Sequence, residues 1–272
     1  MSDLAPRCPT LPAVTDSRSA AVRTVNSASL AEVAWVDPQG APRAIGVIPL
    51  LRGDEVVVAF TFDRVDQALA LAGAEVVDLV VRESRNTASG WRPTAWRCTS
   101  RLVEDVEGDL FVAEMLDQEL RRYPPARRYA DSPMLCREHW WYLPRLILQL
   151  DPVAELESPA PSADPQDMLL VTATDGRPVT GGARLTGGQA TASWGPSPAP
   201  GPGLLHGQDA TFPDLEDWLS WQTPVTVGEG EITAAAPAGP PRPVAAPTLR
   251  RRWRREREFA AACRAGLAAW TS

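Results

Sequence analysis

The chain has 272 residues, 44% of them hydrophobic, with a formal net charge of -7 and a pI near 5.0. That is enough to bury a substantial core in one large or two small domains, and too acidic for a general nucleic-acid binder, which needs a broad basic face. All 27 basic residues are arginine, so the Schiff-base lysine of a pyridoxal-phosphate enzyme and the Walker lysine of a P-loop NTPase are both missing.

In chain order, residues 1–22 are rich in Ser, Ala and Pro and read as a flexible leader or a short helix from Ser17. The stretch from Ala31 to Val81 reads strand, turn, strand, turn, strand, short helix, strand. Val33, Trp35 and Val36 lead into the turn Asp37–Gly40, Ala44 to Leu51 follows, and Arg52–Asp54 turn the chain into Glu55 to Phe62. The β-branched and aromatic side chains Val56, Val57, Val58, Phe60 and Phe62 suit a pleated, buried surface. Val65, Leu69 and Leu71 fit a short helix, and Glu75 to Arg82 the next strand. Trp91 to Val103 alternates imperfectly as a strand. Leu110 to Arg122 has amphipathic helical spacing and stops at Pro124 and Pro125. Cys136 to Leu150 is striped with aromatic and aliphatic residues and predicts the strand that closes a barrel.

Beyond Asp151 the composition shifts, with 16 of the 27 prolines lying between Asp151 and Thr248. Linker runs are expected at 157–166, 196–203 and 234–247, strands at 168–174, 183–194 and 225–233, and a short helix at 213–221. Leu249 to Trp270 reads as a helix. The domain boundaries predicted are a leader at 1–22, a split barrel at 23–150, a Pro-rich linker at 151–168, a second β-rich lobe at 169–248 and an Arg-rich helix at 249–272. An echo of Val33–Pro42 in Val171–Pro178 leaves open an eroded repeat, by which one chain would build an internal pseudo-dimer.

The order of elements from Ala31 to Leu150 resembles the FMN-binding split-barrel proteins related to pyridoxamine 5'-phosphate oxidase. The marks are the Asp37–Pro42 turn with its Gly-x-Pro, the strand ending at Phe60 and Thr61, the short helix, Val76–Val81, and Cys98–Asp105 running into a turn and helix. The resemblance implies a mainly β fold and a flavin- or deazaflavin-dependent oxidoreductase of dimeric habit acting on a small molecule. Its cofactor would be FMN first, F420 or haem after it, with a barrel that holds no cofactor also open. The cofactor contacts it implies are Arg43, Thr61, Arg64 and Gln67, with Trp96 a ring neighbour; no catalytic residue is assigned. A flavin phosphate carries close to two negative charges and needs fixed cations or converging amides. The family supplies Ser, Arg and Lys after the strand-ending Thr, where this chain has Val65, Asp66 and Gln67, and its small Gly on a later strand corresponds to Cys98. That departure favours the alternative, a cofactor-free degenerate barrel serving as a binding or assembly module.

Other clusters have plainer readings. The four cysteines, Cys8, Cys98, Cys136 and Cys263, form no CxxC pair and have only His139 and His206 to join them, so no metal site is expected. On a strand Cys136 and His139 would face opposite sides, which disfavours a catalytic pair. Asp209, Asp214, Glu216 and Asp217 suit helix capping. The segment from Arg250 to Ser272 carries +5 while the remainder carries -12, so the helix is expected to dock on its own chain or on a partner protein, ahead of nucleic acid or membrane. With no signal-peptide pattern and no membrane-length apolar run, a cytoplasmic protein is expected.

Overall fold

The computed structural model describes residues 14–85, 87, 91–186, 189–229, 231–235 and 239–272, with side chains from residue 18 onward. Helix α1 (Val14–Asn26) begins before the expected Ser17. Strands β1 (Ala31–Val36) and β2 (Pro42–Val47) follow as a hairpin. Asp37 shapes their turn: its Oδ1 accepts from the Gln39 and Ala41 amides at 3.0 and 2.9 Å, and Gly40 takes the positive φ of 81° that a Cβ would disfavour.

Strands β3 (Pro49–Arg52) and β4 (Glu55–Phe60), helix α2 (Val65–Ala72), β5 (Val77–Val81), β6 (Thr94–Asp105) and β7 (Arg145–Glu155) complete a seven-stranded antiparallel sheet. Its order is β2-β1-β5-β6-β7-β4-β3. The two edge strands, β2 and β3, are separated in sequence by Ile48 alone, so the sheet must curl until its edges meet. No β2–β3 ladder joins them among the described residues, which makes this a barrel with an open seam.

Period-two alternation sorts the barrel's side chains. Val56, Val58, Phe60, Leu146, Leu148 and Leu150 fill the interior, while Val57 and Ile147 point out to a second cluster with Phe111, Met115, Tyr129 and Trp141. A third face, Ala34, Ala44, Val80 and Ala95, packs on Leu169, Val171 and Leu204 of the second lobe. Strand β1 is therefore buried along its whole length.

Between β6 and β7 the expected helix over 110–122 is broken at Met115 into α3 (Asp109–Glu114) and α4 (Leu116–Arg122). The segment 136–150 is not one strand. Helix α5 (Arg127–Ala130), α6 (Pro133–Glu138) and a single turn at Trp140–Tyr142 precede β7, because Ser132 caps α6 by accepting from the Leu135 amide and Pro133 suits a first helical position. Cys136 and His139 thus sit near one end of a helix, and their strand-based orientation does not apply.

The second lobe is a closed six-stranded barrel of β8 (Asp167–Thr174), β9 (Arg177–Thr186), β10 (Gln189–Trp194), β11 (Gly201–Ala210), β12 (Trp218–Val227) and β13 (Ile232–Ala234). The expected helix over 213–221 is instead a turn running into β12, and the 196–203 linker gives way to β11 from Gly201. Leu170, Leu185, Leu205, Trp221 and Val225 fill this barrel. Both segments of the sequence echo form hairpins, β1–β2 and β8–β9.

A buried ion pair of the first barrel reaches into the second lobe. Arg82 donates to Glu32 through Nε and Nη2 at 2.6 and 2.9 Å and to the Asp167 carbonyl at 2.9 Å. His206 Nδ1 lies 3.2 Å from the same carboxylate. Burial opposes ionisation of Glu32, but the Arg82 charge and the His206 and Arg82 hydrogen bonds overcome it and hold the carboxyl at about 2. Helix α7 (Leu249–Trp270) spans the predicted bounds, capped by Thr248, whose Oγ1 accepts from the Arg251 amide. It lies on the first barrel. No helix among the described residues is long and apolar enough to cross a membrane.

Candidate functional site

A cavity of about 320 Å3 opens between the end of β4, the α4–α5 region, the start of β7, the loop before β12, and α7. Its position follows from chain geometry. Strand β4 ends at Phe60, Thr61 is extended with φ -73° and ψ 157°, and a single helical turn at Phe62–Arg64 swings the chain across the barrel mouth. Phe62 is buried by this turn, while Asp63 and Arg64 reach the cavity.

Aromatic rings supply much of the wall: Phe60, Tyr123, Tyr129, Tyr142, Trp218 and Phe259. Tyr129 packs on Tyr142 with centroids 4.8 Å apart and on Phe259 at 5.9 Å, and Tyr123 meets Trp218 edge-on at 6.5 Å. Burial raises the pKa of all three tyrosines, Tyr142 well above its ordinary value, with Glu119 adding to the shift at Tyr123 and Tyr142 and Glu256 at Tyr129. They are neutral hydroxyls at physiological pH. The Tyr142 hydroxyl donates to Glu119 Oε1.

Most of the charges around the cavity are paired. Arg145, 1% exposed, reaches Glu119 at 3.3 Å and stacks over Phe111 and Tyr142. Glu216 accepts from Arg128 and is ion-paired with Arg252 at 3.1 Å. Arg255 donates to Asp217, just outside the wall, at 3.0 Å. Arg64 is the one lining arginine without a carboxylate partner, and Asp63 and Glu256 are lining carboxylates without a cationic one, among the described residues. Three lining side chains also carry buried N–H groups without an acceptor: Arg145 Nε, Arg252 Nε and Trp218 Nε1. No lining residue carries a comparable buried unpaired acceptor. An unmet buried donor costs about 1–3 kcal/mol.

Helix α7 forms the outer wall with Arg252, Arg255, Glu256 and Phe259. Beyond the cavity it presses onto the 62–64 turn, where Trp270 meets Phe62 edge-on at 6.1 Å and Gly266 passes the Phe62 carbonyl so closely that a Cβ would lie 1.9 Å from its oxygen. The expectation that the basic tail docks on its own chain is met through Glu216, Asp217 and the aromatic cluster.

Of the residues implied by the resemblance, Thr61 and Arg64 line the cavity. Arg43, Gln67 and Trp96 do not. Arg43 is spent on Asp37 in the β1–β2 turn at 2.8 Å, Gln67 is exposed on α2, and Trp96 is fully buried in the barrel interior. Arg43 and Arg64 therefore do not converge. Tyr123, Arg128, Tyr142, Arg145, Trp218 and Arg252 went unrecognised in the sequence, although an arginine opening an apolar strand at Arg145 was a usable signal. His139 and His206 lie away from the cavity. His139 packs against Tyr129 and Trp141, and His206 is engaged with Glu32.

The donor set does not fit a flavin phosphate. Thr61 Oγ1 already donates to Asp63, placing a carboxylate where the phosphate would need a cation. Positions 65–67 offer no cation, and of the lining arginines only Arg64 has no carboxylate partner among the described residues. Seating a dianion would break the Arg128–Glu216–Arg252 arrangement, at about 1.5–3 kcal/mol for each charge-assisted bond. The lining includes no histidine, cysteine or serine, and no group of three or more metal-ligating side chains occurs among the described residues. Nearby Cys263 is pushed up to about 12 by burial and by Asp63, far from a reactive thiolate.

No family model and no curated protein matches the chain. Among solved structures it is similar to the heme storage protein HutZ from Vibrio cholerae, at 15% identity and TM-score 0.35 over 50% of this chain and 89% of that one. It is similar to Campylobacter jejuni ChuZ at 7% identity and TM-score 0.33, over 86% and 68%. A pyridoxamine 5'-phosphate oxidase-related, FMN-binding protein from Nostoc punctiforme matches at 13% identity and TM-score 0.31, over 79% and 97%. At so low an identity and score these likenesses assign neither a family nor a ligand, and what this chain carries of its own is a split barrel with an aromatic, donor-rich cavity roofed by its C-terminal helix.

Proposed function

We propose that the protein is a split-barrel binding module that holds a flat aromatic small molecule in the cavity under α7, and not an FMN-dependent oxidoreductase. The observation that carries this reading is the aromatic wall of Phe60, Tyr123, Tyr129, Tyr142, Trp218 and Phe259 with the unpaired Arg64 guanidinium beside it. Ligand pockets of this size class are mostly apolar with a few converging polar groups that fix orientation. The side chains supply binding and orientation. With three neutral tyrosines and no histidine or thiol in the wall, they offer no activated nucleophile.

The flavin reading keeps one favourable observation, that Thr61 and Arg64 both line the cavity. One titration separates the two. Purified protein is expected to be colourless and to leave FMN fluorescence unquenched, while a neutral two-ring aromatic such as naphthamide raises the unfolding temperature in proportion to its occupancy. Flavin co-purifying in near-stoichiometric yield would overturn the proposal in favour of the oxidoreductase.

A further inference from the structure

We infer that the natural ligand of this cavity is a two-ring aromatic monocarboxylate. The inference rests on the aromatic binding site proposed above and adds its size and charge. An apolar cavity of about 150 Å3 takes a single benzene ring, so 320 Å3 accommodates roughly two rings and a small substituent.

The charge follows from what each arginine is doing. Arg128 and Arg252 share Glu216, Arg255 is held by Asp217, and Arg145 by Glu119. Arg64 alone brings an uncommitted guanidinium, whose planar fork matches one carboxylate bidentately. A neutral ligand would leave that fork unused. The wall holds five arginines, Arg64, Arg128, Arg145, Arg252 and Arg255, against four carboxylates, Asp63, Glu119, Glu216 and Glu256, a balance of +1 that a single carboxylate neutralises and a dianion overshoots. A carboxylate on Arg64 breaks no ion pair, and its ring system lies against Tyr123, Trp218 and Phe259.

The test compares naphthoate, naphthamide, naphthyl phosphate and FMN by calorimetric titration against the full-length protein, its Arg64→Gln variant and its Arg64→Lys variant. Arg64 is exposed, so neither variant threatens the fold. Naphthoate is expected to bind at least about tenfold more tightly than naphthamide or naphthyl phosphate. Arg64→Gln should erase that preference while leaving naphthamide affinity in place, and Arg64→Lys should restore part of it. Tighter binding of naphthyl phosphate, or a preference unchanged in Arg64→Gln, overturns the inferred charge while the aromatic site stands. Tighter binding of FMN, or failure of every naphthyl probe to bind, overturns both.

Discussion

Gly266→Ala gives the sharpest test of how α7 is seated. In an exposed helix this change is stabilising by about 1 kcal/mol, because alanine loses less backbone entropy than glycine. Here the new Cβ would lie 1.9 Å from the Phe62 carbonyl oxygen and 2.8 Å from its carbon. Both obstacles are backbone, so no rotamer change relieves them, and helix and turn must separate by roughly 1 Å. A gap of that size forfeits about a quarter to a half of each dispersion contact it opens. The contacts at stake are Phe62–Trp270, the fully buried Cys263, and Leu267. Overpacking of this kind costs about 1–3 kcal/mol, which outweighs the propensity gain. We expect a net loss of about 1–2 kcal/mol, a fall of a few degrees in melting temperature, and faster amide exchange along α7. Ala265→Gly, at an exposed neighbour, calibrates propensity alone and should cost about 1 kcal/mol without loosening the helix. A Gly266→Ala protein that melts higher than wild type would refute the close seating of α7.

Glu32 makes an acid-limb prediction. A carboxyl held at about 2 in the folded state against an ordinary 4.5 contributes stability that is complete above pH 4.5 and lost as pH falls towards 2. The contribution is about 3 kcal/mol, and Glu32→Gln should remove that pH dependence in acid denaturation while destabilising the protein by about 3–5 kcal/mol through the stranded Arg82. At Asp217 the Arg242 hydrogen bond, helped by Arg255 and the Ala245 amide, holds the carboxyl well below the usual range. Asp217→Asn should cost about 2 kcal/mol, discounted for half-exposed arginines, and hydrogen exchange should rise first at 245–259; an unchanged exchange pattern there would contradict the tether. Cys98 and Cys263 are buried with raised thiol pKa values, so in native protein a thiol reagent should modify the half-buried Cys136 much faster than either.

How legible the molecule was depended on whether a segment's neighbours lie close in sequence. The β1–β2 hairpin, β4 and α7 were readable because Asp37 with Gly40, the Val56–Phe60 run and the Thr248-capped helix each set their own backbone. The 136–150 segment misled because Trp141 and Tyr142 bury against Tyr129 and Phe259 and not across a sheet, while Trp140 stays exposed. Residues 213–221 carried helix-capping acids, yet pairing with β11 drew Trp218 onward into a strand.

Of the candidate cavity, Thr61 and Arg64 were legible because they directly follow a strand that patterning had located. Arg43 lies outside it because Asp37 takes its guanidinium, a pairing the neighbouring-strand argument could not see. Trp96 lies outside it because alternation along β6 turns it into the barrel.

By itself the sequence determined the mainly β class, the barrel-forming strands and the terminal helix, since alternation, turn chemistry and capping act over a few residues. Only the tertiary structure decided which charges remain free, because Arg128, Arg145, Arg252 and Arg255 meet carboxylates between 26 and 88 positions away. Those pairings are made by packing across the chain, and they leave Arg64 as the cation the cavity has to offer.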